Sequence, residues 1–305
     1  MDWATGFDQR IAEYLPDVRI AAEEPMAGHT SFRIGGPARR MAFPENGEQL
    51  VLLVEFSKEA GTKPLVIGNG SNLLVPDEGV DRLVIQTSGL NRLELGEEAG
   101  SILAGAGVPL AKLADFAAKH GLTGVEFAHG IPGTVGGAVC MNAGAYGGEM
   151  GQVVAGVSAL FPDEGIRVLS NEALRFGYRH SLFSDRPEAV ILQAAFRLSP
   201  GDPEAIRARM RELLQKRRAS QPLEYASAGS TFKRPEGHYA GTLIERCDLK
   251  GLTVGGAQVS EKHAGFVINR GGGTFSDVME LISKVQEQVF QKTGVRLEPE
   301  VRILH

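Results

Sequence analysis

The sequence predicts an α+β protein made of more than one packed unit, and two observations carry that prediction. Helical and strand-like periodicities alternate irregularly, without the regular strand–helix repeat of a doubly wound parallel sheet. With 305 residues and 43% hydrophobic content, the chain is also too long for one ordinary core and suits two or three subdomains.

Taken in order, residues 7–15 read as a short helix and 40–43 as a strand. The spacing predicts an amphipathic helix over 47–60, with Leu50, Val51, Val54 and Ala60 turned inward. A short apolar strand at 64–67 runs into Gly68-Asn69-Gly70-Ser71-Asn72, and extended chain resumes at 74–76. Another strand is expected at 83–86, which closes a first unit of residues 1–90. Strands near 91–95 and 101–105 precede a helix over 109–119, opened by Pro109 and ended by Gly121. A glycine-rich stretch leads to strands at 153–161, 166–169 and 189–198, completing a second unit over 91–200. The third, 201–305, has helices at 203–218 and 275–292 and an extended tail over 295–304.

Composition removes several function classes. A net charge of −5, from 32 basic and 37 acidic residues, gives no field that steers toward nucleic acid or anionic lipid. The local cluster Arg207, Arg209, Arg211, Lys216, Arg217 and Arg218 reads for the most part as the solvated face of a helix. Cys140 and Cys247 are too few and too far apart for a disulfide scaffold or a zinc site, and no HExxH pair occurs, so no metal is expected. The acidic, amphipathic N-terminus lacks signal-peptide blocks, and the apolar run 50–54 stops at Glu55. A soluble, cytoplasmic protein is expected.

The 39 glycines cluster in 68–79, 121–151 and 251–273, which marks turns or places where a ligand meets bare main chain. Neither common phosphate motif is present. Gly68-Asn69-Gly70-Ser71-Asn72-Leu73 lacks the third glycine and the following helix of a dinucleotide fingerprint, and there is no GK[ST]. What remains is a turn dense in free N–H groups, able to cradle a pyrophosphate as a nest or to serve only as a tight turn. A second side-chain-poor stretch, 130–147, admits a small-residue helix at Gly136 and Gly137 but is longer than such a helix requires.

Together these segments carry a resemblance. SFRIGGPA (31–38), GNGSNLLV (68–75) and GIPGTVGGAVCMNAGAYGGE (130–149) look like the FAD-binding region of the MurB reductases. YRHSLF (178–183), SAGSTFKRP (227–235), KHAGFVIN (262–269) and LEPEVRIL (297–304) continue it, in order, over almost the whole chain. The resemblance implies a vanillyl-alcohol-oxidase/PCMH-type FAD-binding fold of two α+β subdomains, followed by a C-terminal α+β substrate-binding domain. It implies FAD as cofactor and NADPH as co-substrate. The implied reaction reduces UDP-N-acetylglucosamine enolpyruvate to UDP-N-acetylmuramate, in a monomer without nucleic-acid or membrane partners.

It also implies site residues. Gly68, Asn69, Gly70, Ser71, Asn72, Ile131, Gly137, Gly144, Ala145 and, less directly, Arg217 match positions around the flavin. Ser230 matches a proton donor to C2 after hydride reaches C3, although serine in such a turn commonly bonds its own backbone. Arg179 matches an active-site arginine, and a guanidinium grips a carboxylate through two parallel hydrogen bonds. Glu300 matches a third catalytic residue; on an extended tail it would share a face with Glu298 and Arg302, with Val301 and Ile303 buried opposite. Tyr146, Lys233 and Arg234 are assigned to the UDP-bearing substrate. One branch of the family has asparagine at the position of Arg234 and a longer, tyrosine-bearing segment before the serine motif. Only 50 residues lie between Arg179 and Ser230, so the chain resembles the shorter branch. Two other functions stay open at the level of sequence: a flavin oxidase of the same fold, and a non-catalytic nucleotide-sugar-binding module.

Overall fold

Hydrophobic periodicity is realised most directly in the helices. In the computed structural model, which describes residues 2–304, α1 (Trp3–Tyr14) begins earlier than expected because Ala4 adds a turn to the buried spacing of Phe7 and Ile11. α2 (Gly47–Glu59) is capped by Asn46, whose side chain accepts from Gln49 N. It buries Leu50, Leu53 and Val54, whereas Val51 and Ala60 are only partly buried. The i, i+3, i+4 stripe keeps Leu50 and Val54 as expected and runs through Leu53 in place of Val51. α3 (Leu110–Lys119) follows Pro109, which sits at the cap in an extended conformation, and ends before Gly121 at φ +65°. The glycine-rich stretch contains α4 (Val135–Cys140), in which a Cβ on Gly136 would lie 3.0 Å from Ala106 Cβ. The small-residue helix is therefore real, with hairpin on one side and loop on the other.

α5 (Leu182–Asp185) is a single turn. α6 (Pro203–Ser220) buries Ile206, Met210, Leu213 and Arg217 on one stripe, and exposes Arg207, Arg209, Arg211, Lys216 and Arg218. The solvated-face reading holds for the basic cluster except at Arg217. α7 (Ala240–Arg246) and α8 (Phe275–Thr293) complete the helices. A Thr274–Asp277 capping box opens α8, and Gly294 at φ +73° closes it.

Contacts divide the chain into two units. The first holds the residues up to Ala22, Arg40–Asn69 and Arg82–Lys216; the second holds Glu23–Arg39, Gly70–Asp81 and the chain from Arg217 on. In the first, an antiparallel sheet runs in the order Gly165–Ser170, Val154–Phe161, Val190–Arg197, Ser101–Gly105, Leu93–Leu95. Its alternating inward residues, among them Val157, Ala159, Ala194, Phe196 and Ile102, join the larger core. Leu65–Ile67 pairs in parallel with residues 84–86, in the register Leu65 to Val84.

In the second unit, Ala226–Ser227, Val267–Asn269, Ala257–Val259 and Thr253–Val254 form an antiparallel sheet under α8. Phe32, Ile34 and Leu74 pack into the same core as Ile244, Val278 and Leu281. The tail is strand only at Arg302–Ile303, paired in parallel with Leu73–Leu74. Val301 is buried as expected, but Ile303 is only partly so and Leu304 takes the core position instead. A two-residue ladder is too short to hold strict alternation. Among the described residues no helix is long and apolar enough to cross a membrane, and no group of His, Cys, Asp and Glu could hold a metal ion.

Candidate active site

In the first unit the two side-chain-poor segments meet. A Cβ on Gly68 would lie 2.1 Å from Thr134 Oγ1, so only glycine allows the approach. Asn69 Nδ2 donates to Pro132 O at 3.1 Å, and Ile131 N donates to Ala128 O at 3.0 Å. Thr134 stands at the N-cap of α4 but does not cap it. Its hydroxyl is buried and has no hydrogen-bond partner among the described residues. An unsatisfied buried hydroxyl costs about 1–3 kcal/mol, so the position suits a ligand that supplies the partner. Gly137, one turn into the helix, is exposed, and Thr134 Oγ1 is the nearest atom to where its Cβ would be, at 3.8 Å.

Gly144–Ala145 and Gly148–Glu149 form a hairpin closed by Tyr146 at φ +54° and Gly147 at φ +89°. Two positive φ values suit the twist of a two-residue hairpin. A tyrosine there is a backbone outlier, and it presents an exposed ring. Arg179 is another outlier, at φ +53°, in a tight turn where Gly177 and His180 exchange backbone hydrogen bonds. Its Nη2 donates to Gly144 O at 3.4 Å, and its guanidinium carbon lies 5.5 Å from the Tyr178 ring centre. The structure thus brings Arg179 to the Gly144 hairpin.

The strut between them is Asn142, fully buried and at φ +46°. Asn142 Nδ2 donates to Gly177 O at 2.9 Å, and its Oδ1 accepts from Gly151 N at 2.8 Å. Ser181 Oγ adds a bond to Cys140 O at 2.6 Å. Sequence reasoning passed over Thr134 and Asn142. Their only local signals are a threonine just before a helix and an asparagine among glycines.

In the second unit the segments that carry Ser230 and Glu300 are joined through the backbone of Thr231. Thr231 is buried and bonded on every side. Its N–H donates to Gly265 O at 2.8 Å, its Oγ1 accepts from Val267 N at 2.9 Å, and its carbonyl accepts from Glu300 N at 2.8 Å. Asn72 Nδ2 donates to Glu300 O at 3.0 Å, and Asn72 O accepts from Arg302 N at 3.0 Å. The backbone of Glu300 is thereby fixed from both sides. Ser230, half-buried beside Gly229 at φ +77°, makes no hydrogen bond through its hydroxyl to any described residue. The backbone-bonded turn serine is not what the structure shows.

Of the remaining assigned residues in this unit, Gly70 (φ +57°) would place a Cβ 2.2 Å from His29 O, and Ser71 is partly buried. Arg217 is buried near the end of α6. Lys233 Nζ pairs with Glu298 Oε2 at 3.3 Å, and the Arg234 guanidinium lies 4.6 Å from the Tyr239 ring centre. Behind the Thr231 contact, burial pushes the His263 imidazole below its ordinary pKa.

Comparison with known proteins agrees with both halves of this description. A FAD binding domain model matches residues 38–170. The model of the UDP-N-acetylenolpyruvoylglucosamine reductase C-terminal domain matches 221–304. The UDP-N-acetylenolpyruvoylglucosamine reductase of Caldanaerobacter subterraneus subsp. tengcongensis is 46% identical over 295 residues, 97% of each chain. That of Limosilactobacillus reuteri subsp. reuteri is 48% identical over 290 residues, covering 95% of this chain and 96% of the relative. The crystal structure of the Thermus caldophilus UDP-N-acetylenolpyruvylglucosamine reductase (MurB) superposes with a TM-score of 0.80 at 36% identity, over 94% of this chain and 99% of the other. The fold is accordingly an α+β, vanillyl-alcohol-oxidase-type FAD-binding fold with a reductase C-terminal domain, and the cofactor is FAD. The chain belongs to the UDP-N-acetylenolpyruvoylglucosamine reductase family.

Proposed function

We propose that this chain reduces UDP-N-acetylglucosamine enolpyruvate to UDP-N-acetylmuramate in peptidoglycan precursor synthesis, with NADPH as reductant and Ser230 as proton donor. FAD, when bound, would supply the redox chemistry that links NADPH to the enolpyruvyl double bond. We assign residues 1–90 and 91–200 to the cofactor and 201–305 to the substrate, in a cytoplasmic monomer without nucleic-acid or membrane partners. In the first unit Gly68, Asn69, Ile131, Gly137, Gly144 and Ala145 are the cofactor residues, with the Thr134 hydroxyl added to them. In the second they are Gly70, Ser71, Asn72 and Arg217.

Hydride arriving at C3 leaves negative charge spread from C2 into the carboxylate. The Arg179 guanidinium, charged at any working pH, holds that carboxylate and offsets the charge. Ser230 Oγ–H gives its proton to C2, which completes the saturated lactyl ether. Glu300, whose backbone N–H is bonded to the carbonyl of Thr231, polarises the enolpyruvyl group or relays the proton. Tyr146, Lys233 and Arg234 contact the UDP-sugar.

The observation that carries this reading is the Ser230 hydroxyl, which bonds no described residue, on a loop whose next residue, Thr231, accepts from Glu300 N through its carbonyl. Positioned general acids contribute about 10²–10⁴ in rate. Ser230→Ala is therefore expected to leave NADPH-driven bleaching of the flavin intact and to slow its reoxidation by the enolpyruvyl substrate by about that factor. Stopped-flow absorbance of the two half-reactions measures both; reoxidation at the wild-type rate overturns the assignment.

A further inference from the structure

The loop that carries Ser230 is held from behind by a histidine with no part in the proposed chemistry. Thr231 N donates to Gly265 O at 2.8 Å, and Gly265 N donates in turn to His263 Nδ1 at 3.1 Å. His263 is set just as firmly. Its own N–H donates to Ser260 Oγ at 3.2 Å, its carbonyl accepts from Phe266 N at 3.0 Å, and its ring meets Phe266 edge-on with centroids 5.0 Å apart.

Two glycines make room for the ring. A Cβ on Gly241, in the first turn of α7, would lie 3.2 Å from His263 Cε1, and one on Gly265 would lie 3.0 Å from it. An imidazole nitrogen accepts a hydrogen bond only when it carries no proton, so this geometry requires the neutral ring with hydrogen on Nε2.

We propose that His263 is a positioning residue for the proton-donor loop: its Nδ1 anchors Gly265, Gly265 anchors Thr231, and Thr231 sets Ser230 beside Glu300, so that protonating the ring releases the loop. The inference rests on Ser230 being the donor. The surroundings favour the neutral ring on balance: burial disfavours the imidazolium most, a hydrogen bond to the histidine's own backbone opposes this in part, and Lys250 adds to the effect of burial. Glu245 on α7 opposes the effect, but it is ion-paired with Lys250. Glu261 and Lys262 precede the histidine in sequence, and Lys262 Nζ donates to Arg218 O at 2.7 Å.

The test is the pH profile of flavin reoxidation by the enolpyruvyl substrate, measured apart from reduction by NADPH. In the wild type, reoxidation is expected to fall about tenfold per pH unit below the imidazole pKa, while NADPH reduction does not follow that curve. His263→Asn keeps an acceptor, Oδ1, on the same branch of the side chain and cannot titrate. It is expected to restore reoxidation at pH 8 to within about threefold of wild type and to abolish the acid limb. His263→Leu lacks the acceptor and is expected to reoxidise slowly at every pH.

An acid limb that persists in His263→Asn overturns the inference, and so does wild-type reoxidation in His263→Leu. A proton NMR titration of the wild-type holoenzyme adds a check independent of any variant's folding: a His263 pKa at or above about 6.5 also overturns it. The two assignments fail separately. Normal reoxidation in Ser230→Ala removes the donor, whereas an impaired Ser230→Ala with an unchanged limb in His263→Asn removes only the role of the histidine.

Discussion

Asn142 shows how much of the site depends on single polar connectors. Its side chain satisfies Gly177 O and Gly151 N at once from a fully buried position, and its backbone adopts a left-handed conformation that asparagine tolerates better than most residues. Asn142→Ala leaves Gly151 N without its acceptor, worth about 1–3 kcal/mol, while Gly177 O keeps only its bond from His180 N. We expect a stability loss of about 1–3 kcal/mol, read as a lower denaturation midpoint in urea, together with slower reoxidation as the Arg179 turn loosens. A midpoint within experimental scatter of wild type would mean that the strut carries no load. Sequence motifs located Arg179, Ser230 and Glu300 because reactive side chains recur within fixed local strings. Asn142, Thr134, Thr231 and His263 were not picked out. Each acts through a partner set by the fold, and an asparagine that will bond a carbonyl at position 177 looks locally like any turn asparagine.

At the scale of elements, the start of α8 concentrates several weak effects. Asp277 accepts from Thr274 N at 3.0 Å and from Gly256 N at 3.1 Å, while the Asp77 carboxylate accepts from Phe275 N at 2.9 Å. Both carboxylates also suit the positive end of the helix dipole. The backbone donors Gly256 and Thr274 hold the Asp277 pKa below its ordinary value. Its stabilising contribution is therefore complete above about pH 4 and is lost as pH falls through the lowered value. Gly255 makes the arrangement possible: it sits at φ +50°, and a Cβ there would lie 2.2 Å from Asp277 Oδ1. Gly255→Ala is expected to destabilise by about 1–3 kcal/mol at pH 7. Because the carboxylate is displaced, the gap from wild type should narrow in urea melts near pH 3; an equal gap at both pH values would place the effect in backbone strain alone. The long helices were legible because ten residues or more establish a period, as in α3, α6 and α8. The pairing of Leu73–Leu74 with Arg302–Ile303 was not, since two residues carry no period. α7, of seven residues, was also too short to stand out from the loops around it.

At the scale of the molecule, the α+β class and the flavoprotein fold were legible in the irregular alternation and in the ordered motifs, but the way the chain is shared between units was not. Family models match contiguous stretches, 38–170 and 221–304, whereas the second unit also takes in Glu23–Arg39 and Gly70–Asp81. Periodicity reports which face of a segment is buried, not which distant segment buries it. The interleaving has a consequence for any attempt to divide the protein at the end of the first unit. In a fragment of residues 1–216, Phe32, Ile34 and Leu74 lose the core they share with Ile244, Val278 and Leu281. Ser31 loses its bond to Ser227 O, Phe32 O its donor Asn269, Asn72 its bond to Glu300 O, and Leu74 O its donor Leu304. Exposing three large apolar side chains costs about 1.5–3 kcal/mol each, which is comparable with the whole stability of a domain, about 5–15 kcal/mol. The fragment is therefore expected to bind a hydrophobic dye that the intact chain excludes. Thermolysin should cut it first within 23–39 and 70–81, while 82–216 persists longer. Resistance of those two segments in the fragment, equal to their resistance in the full chain, would show that they belong to the first unit after all.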